Sequence, residues 1–205
     1  MSEVRWPLEK LDRIGQLPCV IGFSGDVGRA QRARRSLTEA HLVPNAFRRV
    51  DTVLNVMDKC LAPHYQEIMD RWGKPPASIF QVTLWGLAGL WAEGEPRILE
   101  FEMSGTSSFH EYFHAIGSAS KTAYAIYRTL GGRELIGLEE RKALVVLLRI
   151  LRTSVDVESF GVSDPIVTWV VTGDRVRKVS LPEQDTHMQA IDQLEQRQRA
   201  ILFQD

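Results

Sequence analysis

The chain has 205 residues, of which 44% are hydrophobic and 25% are charged, and its formal net charge is -1. This length and composition suit one globular domain with a full core and exclude an intrinsically disordered chain. The near-zero net charge excludes a whole-chain attraction to nucleic acid, and we interpret the basic run RAQRARR (residues 29–35) as a solvated helix face.

Cysteine use and hydropathy limit the cellular setting. Only Cys19 and Cys60 are present, which is too few for a disulfide framework or a metal-binding quartet and fits a reducing compartment. Residues 1–16 contain no apolar core of signal-peptide length, and no run approaches the roughly 18 apolar residues of a membrane span. We therefore expect a soluble, cytoplasmic protein without a membrane partner.

The first third of the chain predicts a strand and two helices. Residues 17–23 (LPCVIGF) form a short apolar run that is typical of a buried strand. Asp26 suits the start of the next helix, in which apolar residues recur at helical spacing up to Ala40. A second helix is predicted to follow Asn45 and to continue to Trp72, where the GKPP stretch ends it.

The remainder predicts two β-hairpins, over residues 78–105 and 164–181, and three helices, over residues 118–132, 138–155 and 186–202. The hairpins turn at AEGEP and at Gly173-Asp174, whose residue types favour tight turns. The helix over 138–155 is apolar around most of its surface and is therefore predicted to be central. The last helix carries its apolar residues on one side, at Met188, Ile191, Leu194 and Ile201.

The order of these elements predicts an α+β fold. Hairpins connect antiparallel strands, whereas a doubly wound parallel sheet would need crossover connections. Helices grouped around antiparallel sheets predict a layered sandwich. We assign one compact domain to residues 1–185 and a C-terminal helical extension to residues 186–205.

Residues 110–114 read HEYFH, the spacing at which a helix presents two histidines to a zinc ion and a glutamate to its bound water. A helix between the flanking SGTSS and AIGSAS segments would last barely two turns, and no third ligand is obviously placed downstream. Alternation with a period of two instead separates two faces of a strand. One face carries His110, Tyr112 and His114, and the other carries Phe109, Glu111 and Phe113. We therefore predict a strand entering the next helix, with no metal and no cofactor.

The glycine-rich stretch GFSGDVG (residues 22–28) predicts a turn from a strand into a helix. Such a turn can cradle a phosphate, direct a glycine amide into an active site, or simply be tight, and the local sequence favours the simple turn. The spacing of its glycines differs from that of dinucleotide-binding, P-loop and serine-hydrolase motifs.

Three segments in the same order resemble the proteasome β-subunit family, including its simpler bacterial relatives. They are CVIGFSGDVGRAQRARRSL, FHAIGSASKTAYAIYRTLGG and the long apolar helix that runs into DVESFG, within roughly residues 8–181. The resemblance implies a four-layer αββα sandwich, in which two antiparallel sheets lie between helical layers. It also implies a strand before AIGS, where a zinc site would need a helix. The chain departs from the family pattern at Ala119 and Phe160, where glycines are expected.

The chemistry implied by this resemblance is that of N-terminal nucleophile hydrolases. A threonine at the start of the mature chain attacks a peptide carbonyl. The charge of a nearby lysine lowers the pKa values of groups at the nucleophile, and a backbone amide stabilises the oxyanion. The implied catalytic residues are Lys10, Gly25, Ser120, Asp156 and Ser159. The implied specificity pocket is lined by Phe23 and Val27.

Each implied catalytic side chain also has an ordinary interpretation. Lys10 can be a surface lysine beside Glu9, Ser120 and Ser159 can cap helices or turns, and Asp156 can bind backbone amides at its helix end. The colinear order of the set is what favours common ancestry with the family.

The nucleophile itself is not found at its expected place. In the family, a hairpin of roughly 20–30 residues carries the threonine before the lysine, whereas nine residues precede Lys10 here. Ser2 lies too close to Lys10 in sequence to follow the family's two-strand path. We therefore expect this chain to be inactive as given.

Two functions follow from these features. The first is a proteasome-like subunit related to threonine peptidases, which acts on peptides or proteins if the natural chain begins upstream with a threonine. The second is a non-catalytic structural or assembly subunit of a self-associating ring or stack. In the second, tryptophans and the amphipathic C-terminal helix supply contacts, although these side chains can equally be core.

Overall fold

A computed structural model describes residues 11–39, 49–72, 84–101, 107–158, 165–173 and 175–202. The strands are β1 (Leu11–Arg13), β2 (Cys19–Gly25), β3 (Leu84–Ala92), β4 (Glu95–Phe101), β5 (Ser107–His110), β6 (Trp169–Thr172) and β7 (Arg175–Lys178). The α-helices are α1 (Val27–Glu39), α2 (Val50–Trp72), α3 (Ser120–Thr129), α4 (Glu140–Val157) and α5 (Leu181–Leu202), and a short 3-10 helix spans Gly132–Leu135. Lys10, Ser159 and Phe160 lie outside the described residues, and so do Ser2, Ala40 and Phe47.

The chain divides into two compact units. One contains the described residues of Met1–Gly117 and Val167–Arg177, and the other contains those of Ser118–Ile166 and Lys178–Asp205. Among the described strands, every pairing within the five-stranded sheet is antiparallel. Helices together with antiparallel strands confirm the predicted α+β class.

The first unit is built on a five-stranded sheet with the order β1-β2-β3-β4-β5. Alternate residues of β3 are buried, from Leu84 to Ala92, because successive side chains of a strand point to opposite faces. One core cluster contains buried residues of this sheet and of both helices: Ala33 and Leu37 from α1, Val53, Met57 and Leu61 from α2, and Leu84, Leu90 and Leu99 from the sheet. Burying each of the larger side chains contributes about 1.5–3 kcal/mol. Helices α1 and α2 therefore cover one face of the sheet.

A tight turn at Glu93 and Gly94 joins β3 to β4. Both residues have positive φ angles, 55° and 81°, as the favoured two-residue hairpin turn requires. The Glu93 side chain accepts a hydrogen bond from the Val50 backbone N–H at 3.2 Å. A carboxylate at this position also interacts favourably with the positive end of the α2 dipole. The turn thus joins two strands and supports the start of α2.

The strand predicted over residues 17–23 is displaced by two residues, since β2 spans Cys19–Gly25. Leu17 instead lies in a turn, where its backbone N–H donates to the Ile14 carbonyl at 3.0 Å. The turn reverses the chain from β1, a three-residue strand that the apolar pattern did not predict. Leu17 remains fully buried, which is why the apolar run looked continuous.

The predicted hairpin at Gly173 is confirmed as β6 and β7, which form a separate two-stranded sheet. Strand β6 contacts β3 within the first unit. A Cβ placed on Gly173 would lie 3.7 Å from the Trp91 ring, so the turn packs directly on that indole.

The second unit contains α3, α4 and α5. Helix α4 was predicted to be central, but its buried residues are restricted to Leu144, Leu148, Ile150 and Ser154. Its remaining described residues are half-buried or exposed, because much of its surface carries charged side chains. Helix α5 packs against α4 and begins at Leu181, five residues before its predicted start. None of the described helices combines the length and the apolar composition that a bilayer crossing requires.

Candidate functional site

A glycine turn links the end of β2 to the start of α1. Gly25 has a φ of 111°, a backbone conformation that side chains other than glycine's rarely adopt. Asp26 follows it, and its Oδ1 accepts a hydrogen bond from the Arg29 backbone N–H at 2.8 Å. Asp26 therefore caps α1 as predicted. The turn holds Gly25 in a fixed conformation next to a helix N-terminus.

The AIGS segment meets this turn within the first unit. Gly117 has a φ of 94°, and a Cβ added to it would lie 3.0 Å from the Ser24 Oγ. Any larger residue at position 117 would crowd the Ser24 side chain as well as strain the backbone. Two sequence segments that are far apart in the chain are thus packed together. The sequence contained both motifs, but sequence reasoning did not single out Ser24 or Gly117.

The two residues expected to line a specificity pocket have different surroundings. Phe23 is half-buried against the core cluster, and its ring lies 3.0 Å from where a Cβ on Gly86 would be. Val27 is 55% exposed in the first turn of α1. Phe23 therefore supports the sheet, while Val27 is open to contact. Their joint role in substrate binding stays a prediction.

Ser120 and Asp156 lie in the second unit. Ser120 is the first residue of α3, and Asp156 is exposed in the last turn of α4. Near them, the Thr122 hydroxyl donates a short hydrogen bond to the Glu158 carboxylate. This bond joins the start of α3 to the residue that ends α4, so Ser120 and Asp156 lie on two connected helix ends. Thr122 and Glu158 had no assigned role, because neither residue type is distinctive at its position.

The HEYFH stretch is neither a zinc helix nor a continuous strand. Strand β5 ends at His110, and the chain bends at Glu111 and Tyr112. The rings of His110 and His114 stack with centroids 3.6 Å apart and an interplanar angle of 16°. The strand that the resemblance implied up to AIGS is therefore wrong beyond His110, because the bend is what brings the two rings together.

A carboxylate from the neighbouring strand faces both rings. The Oε2 atom of Glu100, in β4, lies 2.9 Å from the Nε2 of His110 and 2.9 Å from the Nε2 of His114. Glu100 pairs with Ser108 in the sheet register. Sequence reasoning looked for a third ligand downstream of HEYFH, whereas the facing carboxylate comes from upstream. A correct prediction of the pairing between β4 and β5 would have identified Glu100.

Burial governs the protonation of both cysteines and of His64. Burial raises the pKa of the Cys19 thiol far above its usual range, and it also raises the pKa of Cys60. Both thiols therefore stay protonated and are poor nucleophiles. Burial, followed by the charge of Arg32, lowers the pKa of His64, whose Nε2 lies 3.0 Å from the Ser36 Oγ.

Comparison with known families identifies a matching family model. A family model described as Proteasome subunit matches residues 9–170. No curated protein matches the chain. The matched range includes the Gly25 turn, the AIGS segment and all of α4, which are the segments that carry the sequence resemblance.

Proposed function

The chain belongs to the proteasome subunit family, and we propose that it is a proteasome-like subunit related to threonine-type endopeptidases, with peptide-bond hydrolysis as the activity of its lineage. The observation that carries this proposal is the packing of Gly117 against Ser24. It supports an intact scaffold at the point where the two family motifs must meet. The positive φ of Gly117 favours glycine over other residues at this contact.

The proposed catalytic roles follow the family chemistry. The Gly25 amide stabilises the oxyanion. The charge of Lys10 lowers the pKa values of groups at the nucleophile. Ser120, Asp156 and Ser159 support proton movement near the nucleophile. The fixed backbone at Gly25 and the Thr122–Glu158 hydrogen bond support these assignments. Phe23 and Val27 contact the substrate side chain.

The proposed architecture has four layers. Helices α1 and α2 form one outer layer, on the five-stranded sheet. The β6–β7 sheet belongs to the second inner layer. The contact between β6 and β3 supports this arrangement, since it is a contact between two sheets.

The alternative is a non-catalytic subunit that assembles into a ring or stack. One observation favours it. Helix α5 exposes apolar side chains, with Leu181 at 64%, Leu194 at 43% and Ile201 at 74%. Exposed apolar groups on one helix are suited to contacts between subunits.

The natural protein distinguishes the two functions. We would purify it from its source, determine its N-terminal residue by intact mass, and measure hydrolysis of fluorogenic peptides with and without a threonine-directed inhibitor. An N-terminal threonine with inhibitor-sensitive turnover supports the enzyme. A start at Met1 or Ser2, no turnover and a ring-sized particle support the assembly subunit. An inactive monomer contradicts both.

A matched pair of variants tests the site assignment in the active form. Asp156→Asn removes a proposed supporting carboxylate, whereas Asp185→Asn changes a carboxylate that is also exposed but lies outside the matched range. We expect kcat/KM to fall only in the first variant. Equal activity of the two variants would remove Asp156 from the catalytic set.

A further inference from the structure

We propose that Glu100, His110 and His114 form a binding site for one divalent transition-metal ion, with Zn²⁺ as the best match. This site goes beyond the proposed function and does not depend on it. Each residue offers one ligand atom, and the three atoms lie within 4.8 Å of one another. The sequence predicted no metal because it considered a helical zinc motif, which the fold does not contain. The bend after β5 creates a different site from the same two histidines.

Metal coordination would require the three side chains to move apart and both imidazole rings to turn. In a tetrahedral site with ligand bonds of about 2.0–2.2 Å, the ligand atoms are about 3.4 Å apart. The Oε2 of Glu100 lies 2.9 Å from each Nε2. A movement of about half an ångström in each side chain would admit an ion. The stacked rings of His110 and His114 would also turn about their side-chain bonds until the plane of each ring contains the ion.

The donor set also matches the chemistry of zinc. Two imidazole nitrogens and one carboxylate oxygen form one of the common three-ligand sets of protein zinc sites, in which water occupies the fourth position. Metal ligation requires neutral imidazoles and an ionised carboxylate, so the bound ligand set would carry one negative charge. A divalent cation would neutralise that charge, which is costly to bury alone.

Burial and access are both suitable. The side chains of Glu100 and His114 are 14% and 11% exposed, whereas that of His110 is 28% exposed. The ligands are therefore shielded on one side and reachable from the other. The Ser108 Oγ lies 3.3 Å from the His110 Nε2 and adds a polar group beside the most exposed of the three ligands. An ion would enter past His110.

The position of the site indicates what a bound metal does. His114 lies three residues before Gly117, which packs on Ser24. An ion held between β4 and His114 would fix the irregular stretch that leads to Gly117. The metal would therefore act as a structural brace for the contact between the two family motifs, without taking part in peptide hydrolysis.

The same distances suit a metal-free arrangement in which two imidazole N–H groups donate to one carboxylate. Direct measurement separates these states. The untagged 205-residue chain is stripped with a chelator and titrated with Zn²⁺ by calorimetry, and Co²⁺ is then used as a spectroscopic probe. We expect one ion per chain, d–d absorption bands of a tetrahedral or five-coordinate Co²⁺ site, and thermal stabilisation that grows with ion concentration.

Three variants locate the ion. Glu100→Gln keeps the size of the side chain, and His110→Ala changes the most exposed ligand, so both are expected to fold. Each should weaken Zn²⁺ binding by more than about 10-fold, the smallest loss typical of removing even an outer-shell partner. Glu111→Gln is the matched control, because Glu111 belongs to HEYFH but is exposed and is not one of the three ligands. It should bind as the unmodified chain does.

Three outcomes would overturn the proposal. One is the absence of stoichiometric binding by the unmodified chain, whose fold is not in question. Another is unchanged affinity in Glu100→Gln while circular dichroism shows the normal fold. The third is a thiolate-to-Co²⁺ charge-transfer band, which would place the ion at a cysteine.

Discussion

At the scale of single residues, Gly117 experiences two constraints at once. Replacing it with alanine would strain a backbone with a φ of 94° and place the new Cβ 3.0 Å from the Ser24 Oγ. We expect Gly117→Ala to lower the free energy of unfolding by about 1–3 kcal/mol, measured by urea denaturation. Gly89→Ala is the matched control, because a Cβ at that position meets nothing within 4 Å. Equal stabilities of the two variants would contradict the assigned constraint.

His64 gives the chain a predictable dependence on pH. Burial and the charge of Arg32 lower its pKa in the folded state, with Glu67 acting in the opposite direction. The unfolded state, with a histidine pKa of about 6.5, therefore binds more protons as the pH falls. The stability that neutral His64 contributes is fully present above about pH 6.5 and is lost as the pH falls towards its folded pKa.

We therefore expect the free energy of unfolding to decrease more steeply from pH 7 to pH 5 in the unmodified chain than in His64→Gln. Urea denaturation at a series of pH values measures both slopes, and the difference between them isolates His64 from other titrating groups. Parallel curves would show that the folded pKa of His64 is not lowered.

Single residues also show where sequence reasoning succeeds. Asp26 and Gly25 were identified correctly as a helix cap and a turn because the interactions that define them are local. Glu100 was not found, because it meets the two histidines only through the pairing of β4 with β5. Ser24 and Gly117 were also missed, because these two residues are far apart in the sequence and come together only in the folded chain. The catalytic roles of Lys10, Gly25, Ser120, Asp156 and Ser159 stay predictions.

At the scale of elements, the α4–α5 pair combines an apolar contact surface with surface ion pairs. Ile191 and Leu148 are both fully buried, whereas Arg152 and Asp192 form a partly exposed ion pair. We expect Ile191→Ala to cost about 2–5 kcal/mol, because it leaves a cavity in a buried contact. Asp192→Asn should cost at most about 1 kcal/mol, since water screens an exposed pair. Urea denaturation followed by helical circular dichroism measures both.

A larger loss of stability in Asp192→Asn than in Ile191→Ala would contradict this prediction. It would show that the ion pairs, rather than the apolar contact, stabilise the packing of α5 on α4.

Periodicity predicted the long elements and failed on the short or polar ones. Helices α1 and α2 and the β3–β4 hairpin were predicted because their apolar residues repeat at clear intervals. Strand β1 has three residues, too few to show a repeat. Helix α5 starts earlier than predicted because Gln184 and His187, which are polar, occupy its buried side together with Ile191. Polar residues at buried positions hide a helix from hydrophobic pattern analysis.

At the scale of the whole molecule, the exposed apolar residues of α5 predict self-association. Ile201 is 74% exposed, so Ile201→Glu should leave the subunit folded while placing a charge in a contact surface. We expect the molecular mass measured by light scattering after size exclusion to fall in this variant. Gln196→Glu is the control, because it adds the same charge to an exposed position of the same helix. A lower molecular mass in both variants would show that the added charge, rather than the loss of a specific contact, prevents self-association.

The order of the strands in the first unit has a consequence for how quickly that unit reaches its native state. Each strand pairs with its neighbour along the chain, and only the β2–β3 pairing, from Gly25 with Leu84 onward, must close around two helices. Closing a long loop costs more chain entropy than closing a two-residue turn. The β3–β4 hairpin should therefore form early and serve as the template on which β2 docks. Substitutions at Glu93 or Gly94 should slow refolding, whereas substitutions of Met57 in α2 should mainly accelerate unfolding.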